Sequence, residues 1–154
     1  MFGHSDCPDS IMPKIEAAIE MQYTLQGISF FYVGNRGRFD SLAAIAAKRV
    51  KKRHPDIKLY LLVAYHPGER TVDLTDGFDN SYYPPLEGVP KRYAIVRANR
   101  YMVDTADSII CYVNHIGNTR DLLEYAQRRQ EKEGIIIENV ANMANENTSQ
   151  ALRY

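Results

Sequence analysis

The chain has 154 residues and no tryptophan, two cysteines and no net charge. Each shortage excludes something. Lys plus Arg balances Asp plus Glu at 19 each, so no global field draws the protein to nucleic acid or to an anionic membrane. No apolar run approaches the roughly 18–20 residues that span a bilayer. The N-terminus lacks the charged-then-apolar pattern of a signal peptide, and the expected compartment is the cytoplasm. Cys7 and Cys111 form neither a disulfide framework nor a zinc-ligand spacing. Cys111 lies inside the apolar run "SIICYV" and reads as a buried, inert thiol. His54, His66 and His115 make no metal constellation, and the expectation is no metal and no required cofactor.

The content that remains, 45% hydrophobic and 25% charged, is that of one globular domain with a real core. Strand and helix patterns alternate. "MFGH" reads as the tail of a very short first strand. A helical pattern runs from Ser10 through Ile11, Ile15, Ala18 and Ile19 to a stop at Gly27, with Asp9 or Ser10 as its cap. "ISFFYVG" (28–34) is a continuous apolar run, the mark of a strand covered on both faces. Phe39, Leu42, Ala43, Ala46 and Val50 repeat at helical spacing, and that helix ends before His54-Pro55. "IKLYLLVAY" (57–65) is a third strand, 91–106 a helix with Tyr93, Val96, Arg100 and Val103 on one stripe, 107–114 a fourth strand, 118–134 a helix and 135–140 a fifth strand. Residues 1–140 form the domain, and 141–154 read as a tail. The long segment 66–90, with Tyr82, Tyr83, Pro84 and Pro85, reads as a loop without regular structure. Loops of that length often act as lids, and a tyrosine there could stack on a base.

Alternation of this kind implies an α/β fold, a Rossmann-like three-layer α/β/α arrangement around a five-stranded, mainly parallel sheet of order 3-2-1-4-5. Ligands of such sheets bind beyond the C-terminal strand ends, where the chain order reverses. Three loops fall there. The first supplies Gly3, His4, Ser5 and Asp6. The second, "GNRGRFD", supplies Gly34, Asn35, Arg36, Gly37 and Asp40. The third supplies Asn114, His115, Gly117, Asn118 and Thr119. Glycines allow close approach, and a helix start offers unpaired N–H groups to a phosphate. The second loop is neither G-x-G-x-x-G nor a Walker A sequence. Asp40 stands between helix cap and ligand contact, Asn118 or Thr119 between cap and anion holder. Arg97 and Arg100, three apart on a helix, either form salt bridges or reach a phosphate. The basic run "KRVKKRH" (48–54) reads as a solvated helix end whose cations complement the dipole; nucleic-acid contact is the lesser reading, and a nucleic-acid or protein-interaction module using this end or the tail stays open as an alternative function.

The segments "FFYVGNRGRFDSLA", "IKLYLLVAYHPGE", "RYAIVRANRYMVDTADSIICYVN" and "GNTRDLLEYA", with the opening "MFGHSDCPDSI", resemble the SLOG superfamily, named after the DNA-processing Smf proteins and the Lonely Guy (LOG) enzymes. Within it, the chain is most similar to small bacterial and phage members, and the likeness extends to about Ile137. The resemblance implies a Rossmann-like fold, a nucleotide-type ligand and a homo-oligomer, a dimer or larger. Some members are proposed to sense or sequester nucleotide signals, NAD- or ADP-ribose-derived ones among them. LOG enzymes instead hydrolyse the N-glycosidic bond of nucleoside monophosphates through P-G-G-x-G-T-x-x-E. With Thr119 in the threonine position, the leading glycines fall on His115 and Ile116 and the glutamate on Leu122. Glu124 comes two residues late, about 200° around the helix. Asp40 and Glu124 are the residual catalytic candidates.

Overall fold

Local chemistry sets the boundaries of each element in the computed structural model, which describes residues 1–142. Helix α1 spans Met12–Gln26 and opens on a 3-10 turn, Asp9–Ile11. Pro13 sits in its first turn, where a missing N–H costs nothing. No side chain caps it; Asp9 instead pairs with Arg38. The helix ends at Gly27, whose φ of 70° places it in the left-handed region and whose N–H bonds the Tyr23 carbonyl. Helix α2 (Arg38–Arg53) buries Phe39, Leu42, Ala43, Ala46, Ala47 and Val50. Its end is ion-paired: Arg53 to Glu16 and Glu20 of α1, and Lys51 to Asp79. The basic run thus ties α2 to its neighbours.

Helix α3 spans Ala94–Thr105 and α4 spans Asn118–Glu133. The stripe expected on α3 holds only at Val103. Ala94, Ala98 and Val103 are buried, while Tyr93 is 50% and Val96 45% exposed. Ala94 and Ala98 pack against Ala64 and Leu86, and Val103 joins Ile109 and Leu123.

The strands are β1 (Phe2–Gly3), β2 (Phe30–Val33), β3 (Lys58–Leu62), β4 (Asn80–Tyr82), β5 (Ser108–Tyr112) and β6 (Ile136–Asn139). All pairings are parallel. The expected single five-stranded sheet is replaced by two three-stranded sheets, β1-β5-β6 and β2-β3-β4. The first strand is too short to complete a ladder with β2. One bond crosses the seam, from the backbone nitrogen of Met1 to the Tyr32 carbonyl at 2.9 Å. The sixth strand, β4, lies inside the segment read as unstructured. It pairs Tyr60 with Asn80 and Leu62 with Tyr82. Asp79 anchors it, its carboxylate accepting from the Leu59 N–H at 2.8 Å and from Lys51 at 2.6 Å.

Strand β5 is covered on both sides. Ile110 and Tyr112 join the core of α1 and α2, while Ile109, Cys111 and Val113 join that of α3 and α4. Burial pushes the Cys111 thiol up to about 12, as an inert thiol requires. Cys7 is buried too. Val140 and Ala141 pack into the first core, so the chain is still in the domain where the tail was expected to begin. The rest of that segment, 143–154, lies outside the described residues. No helix of the described residues is long and apolar enough to cross a membrane.

Candidate functional site

The three loops meet. Gly3 and Ser5 from the first, Gly34, Arg36, Gly37 and Asp40 from the second, and Asn118 and Thr119 from the third line one cleft of about 260 Å³. Met1 and Phe2, Leu62 at the end of β3 and Ala64 beyond it, Ile95, Ala98 and Asn99 of α3, and Leu122 of α4 complete its wall.

Glycine has two separate uses here. Gly27, Gly117 and Gly134 have positive φ and turn the chain. Gly3, Gly34 and Gly37 do not, and serve close approach. A Cβ on Gly3 would meet Phe39 at 2.5 Å, one on Gly34 the Asp40 carboxylate at 2.9 Å, and one on Gly37 the Ser5 Cβ at 2.8 Å. The second loop therefore packs directly on the first, with Phe39 as the wholly buried wedge between them.

Helices α2 and α4 both begin at the cleft, with Gly37 and Gly117 in the N-cap positions and no side-chain cap on either. Neither Asn118 nor Thr119 caps α4; both lie within the helix. The first N–H groups of a helix have no partner within it, and these two starts carry the positive ends of their dipoles. Arg36 adds a cation, its guanidinium 5.5 Å from the Tyr65 ring. Asp40 acts as a loop clamp, accepting the Arg36 N–H at 2.9 Å. Burial raises its pKa, with the Arg36 bond opposing.

Several expected residues lie elsewhere. Arg97 and Arg100 are not on the cleft wall; Arg100 lies over the Tyr125 ring at 5.3 Å. Asn99, between them, is on the wall instead. Helical phase carries the signal, since Ile95, Ala98 and Asn99 share one face. Asn35 is exposed and off the wall. Asn114 donates to the Tyr112 hydroxyl at 3.0 Å. Glu124 pairs with Arg120 on the exposed side of α4, and the position a LOG glutamate would take holds Leu122.

A second cavity, about 420 Å³, shares Met1, Phe2, Leu62, Asn99 and Leu122 with the cleft. It runs under α3 along the face of β2, β3 and β4. Tyr32, Tyr82 and Tyr101 line it, and the neighbouring Tyr101 phenol helps raise the Tyr82 phenol to about 12. The Ser108 hydroxyl on its wall is buried without a hydrogen-bond partner.

Beside the cleft, the pairing of Gly3 with Tyr112 brings the first and third loops together. His4 is 4% exposed. Its ring stacks on that of His115, centroids 3.5 Å apart and planes 11° from parallel. His115 has an acceptor at each ring nitrogen, the Ile116 carbonyl 2.9 Å from Nδ1 and the Asp6 carboxylate 3.1 Å from Nε2. Those two bonds raise its pKa. Burial, then the neighbouring His115 charge, lower that of His4.

The signs oppose. His4 contributes stability that is complete above the ordinary value of 6.5 and lost as pH falls through its folded pKa. His115 contributes stability that is complete below 6.5 and lost as pH rises through its folded pKa. In chelator-treated buffer, an NMR titration is expected to resolve two imidazoles on opposite sides of that value. Asp6→Asn should lower both, the upper one by loss of a hydrogen bond and of charge, the lower one by loss of charge alone. Coincident titration of both rings would show that the stack does not form.

No family model matches the chain, and no curated protein matches it.

Proposed function

We propose that the protein binds a nucleotide or nucleotide-derived signal, of the NAD- or ADP-ribose-derived kind, and holds it intact for sensing or sequestration. One observation carries the reading: three glycine-containing loops converge on a single cleft where two helices start without side-chain caps. A phosphate suits that place, since unpaired N–H groups, two dipoles and Arg36 all favour negative charge. The adjoining tyrosine-lined cavity offers rings for a base to stack on. The Ser108 hydroxyl there lacks a partner and would bond a base edge or a ribose.

The reading treats the two sheets as one Rossmann-like layer of order β4-β3-β2-β1-β5-β6, a sixth strand added to the expected order. The Met1–Tyr32 bond across the seam supports it. It also places the chain in the SLOG superfamily, on the segments that carry the resemblance. A homo-oligomer would follow, and the half-covered aromatic face that includes Phe30, 55% exposed, has the character of an interface.

N-glycosidic hydrolysis is the second reading, and Asp40 is what favours it: a partly buried carboxyl of raised pKa on the cleft wall has the properties of a general acid. Leu122 in the glutamate position and Glu124 facing outward weigh against it.

Calorimetric titration with mononucleotides, ADP-ribose and cyclic ADP-ribose isomers tests the proposal, with mass spectrometry of the same mixtures. Expected is stoichiometric binding with the ligand recovered whole. Fragments would establish the hydrolase, and absence of binding at millimolar concentration would remove both readings.

A further inference from the structure

We infer that His4, Asp6 and His115 form a binding site for a divalent transition-metal ion of the zinc class. The ligating atoms of the three side chains all lie within 4.8 Å of one another. Two imidazoles and one carboxylate are the donor set that zinc takes in open, three-ligand sites, and that other first-row ions take with further positions free.

The surroundings prepare the donors. His115 Nδ1 faces the Ile116 carbonyl at 2.9 Å. That contact puts a proton on Nδ1 and leaves the lone pair on Nε2, the usual outer contact of a metal-bound histidine. His4 Nε2 faces the His115 backbone N–H at 3.4 Å, so it also presents a lone pair, held by a long and weak bond. His115 Nε2 and the Asp6 carboxylate then stand 3.1 Å apart. Two lone-pair atoms at that distance need a cation between them, either a proton or a metal ion.

Binding requires one movement. In the stacked arrangement the two Nε2 lone pairs lie in near-parallel ring planes and do not converge. His115 must fan away from His4 for both to reach one ion. It has the room, being half exposed on a loop, whereas His4 is buried and fixed. The ion would keep at least one position open. Ser5, between the two first-loop ligands, lines the cleft, so the ion would sit at the cleft's margin. The inference does not depend on what the cleft binds.

The experiment uses the whole protein, freed of metal, and the metal alone. Zinc is titrated calorimetrically, and cobalt is followed by its visible absorption, which reports coordination number. Expected is one ion per chain, with the His4 and His115 ring nitrogens shifting together in NMR spectra on zinc addition. Asp6→Asn and His115→Gln, both at exposed positions, should each weaken binding at least about tenfold and leave the circular dichroism unchanged. No stoichiometric binding, or binding of equal strength in both variants, would overturn the site.

Discussion

Replacing Gly37 with valine is expected to weaken nucleotide binding at least about tenfold, a loss of about 1.4 kcal/mol, while the helices and strands persist. The cause is steric. Gly37 is extended, with φ of −160°, so valine meets no backbone strain there. Its Cβ would instead lie 2.8 Å from the Ser5 Cβ and 3.0 Å from the Ser5 Cα. The first and second loops must part, and the cleft that both line loses its shape. Overpacking of this kind costs about 1–3 kcal/mol, so the melting temperature should fall by about 2–4 °C for each kcal/mol in a chain of this size. A companion variant separates shape from stability. Gly37→Ala on a Ser5→Gly background removes one of the two clashing atoms and should recover part of the affinity lost by Gly37→Ala alone. Unchanged affinity in a folded Gly37→Val protein would show that this turn holds no phosphate.

The largest loss of stability is expected from Phe39→Ala, about 3–5 kcal/mol, because Phe39 is wholly buried where β1, α2 and the first loop meet. Gly3→Ala acts on the same contact from the other side. Its Cβ would come within 2.5–2.7 Å of the Phe39 ring, which packing prevents from moving away, at a cost of about 1–3 kcal/mol. The two changes should not add. With the ring gone, the new methyl enters the space it left, and the double variant should be more stable than the sum predicts by about 0.5–3 kcal/mol. Urea unfolding of the four proteins measures the cycle. Strict additivity would mean that contact with Phe39 is not why position 3 holds glycine.

The order of helices and strands was legible in the sequence because each element carries its own period and its own stop. The α2 stripe from Phe39 to Val50 and the apolar run of β5 are local patterns, and so is the stop at Gly27. β4 was not legible. Two of its three residues, Asn80 and Ser81, are polar and show no alternation, and what holds them is the clamp of adjoining Asp79 onto distant Leu59 and Lys51. The α3 phase failed for a related reason: size and hydrophobicity favoured Tyr93 and Val96, whereas the inward face is set by the contacts of Ala94 and Ala98 with distant Ala64 and Leu86. The cleft loops were found because parallel sheets place ligands at strand ends. Which side chains enter the cleft was not, as Asn99 in place of Arg97 and Arg100 shows.

By itself, then, the sequence determined the α/β class, the chain order and the three loops, all of which depend on neighbours a few residues apart. Tertiary structure alone decided that Gly3 and Gly37 exist for contact rather than for φ. It also decided that the sheet divides at a strand of two residues, and that His4 meets His115. Those last two residues are 111 apart, and no local pattern marks them. They stack because β1 and β5 run parallel in one register, which ends both strands at the same edge.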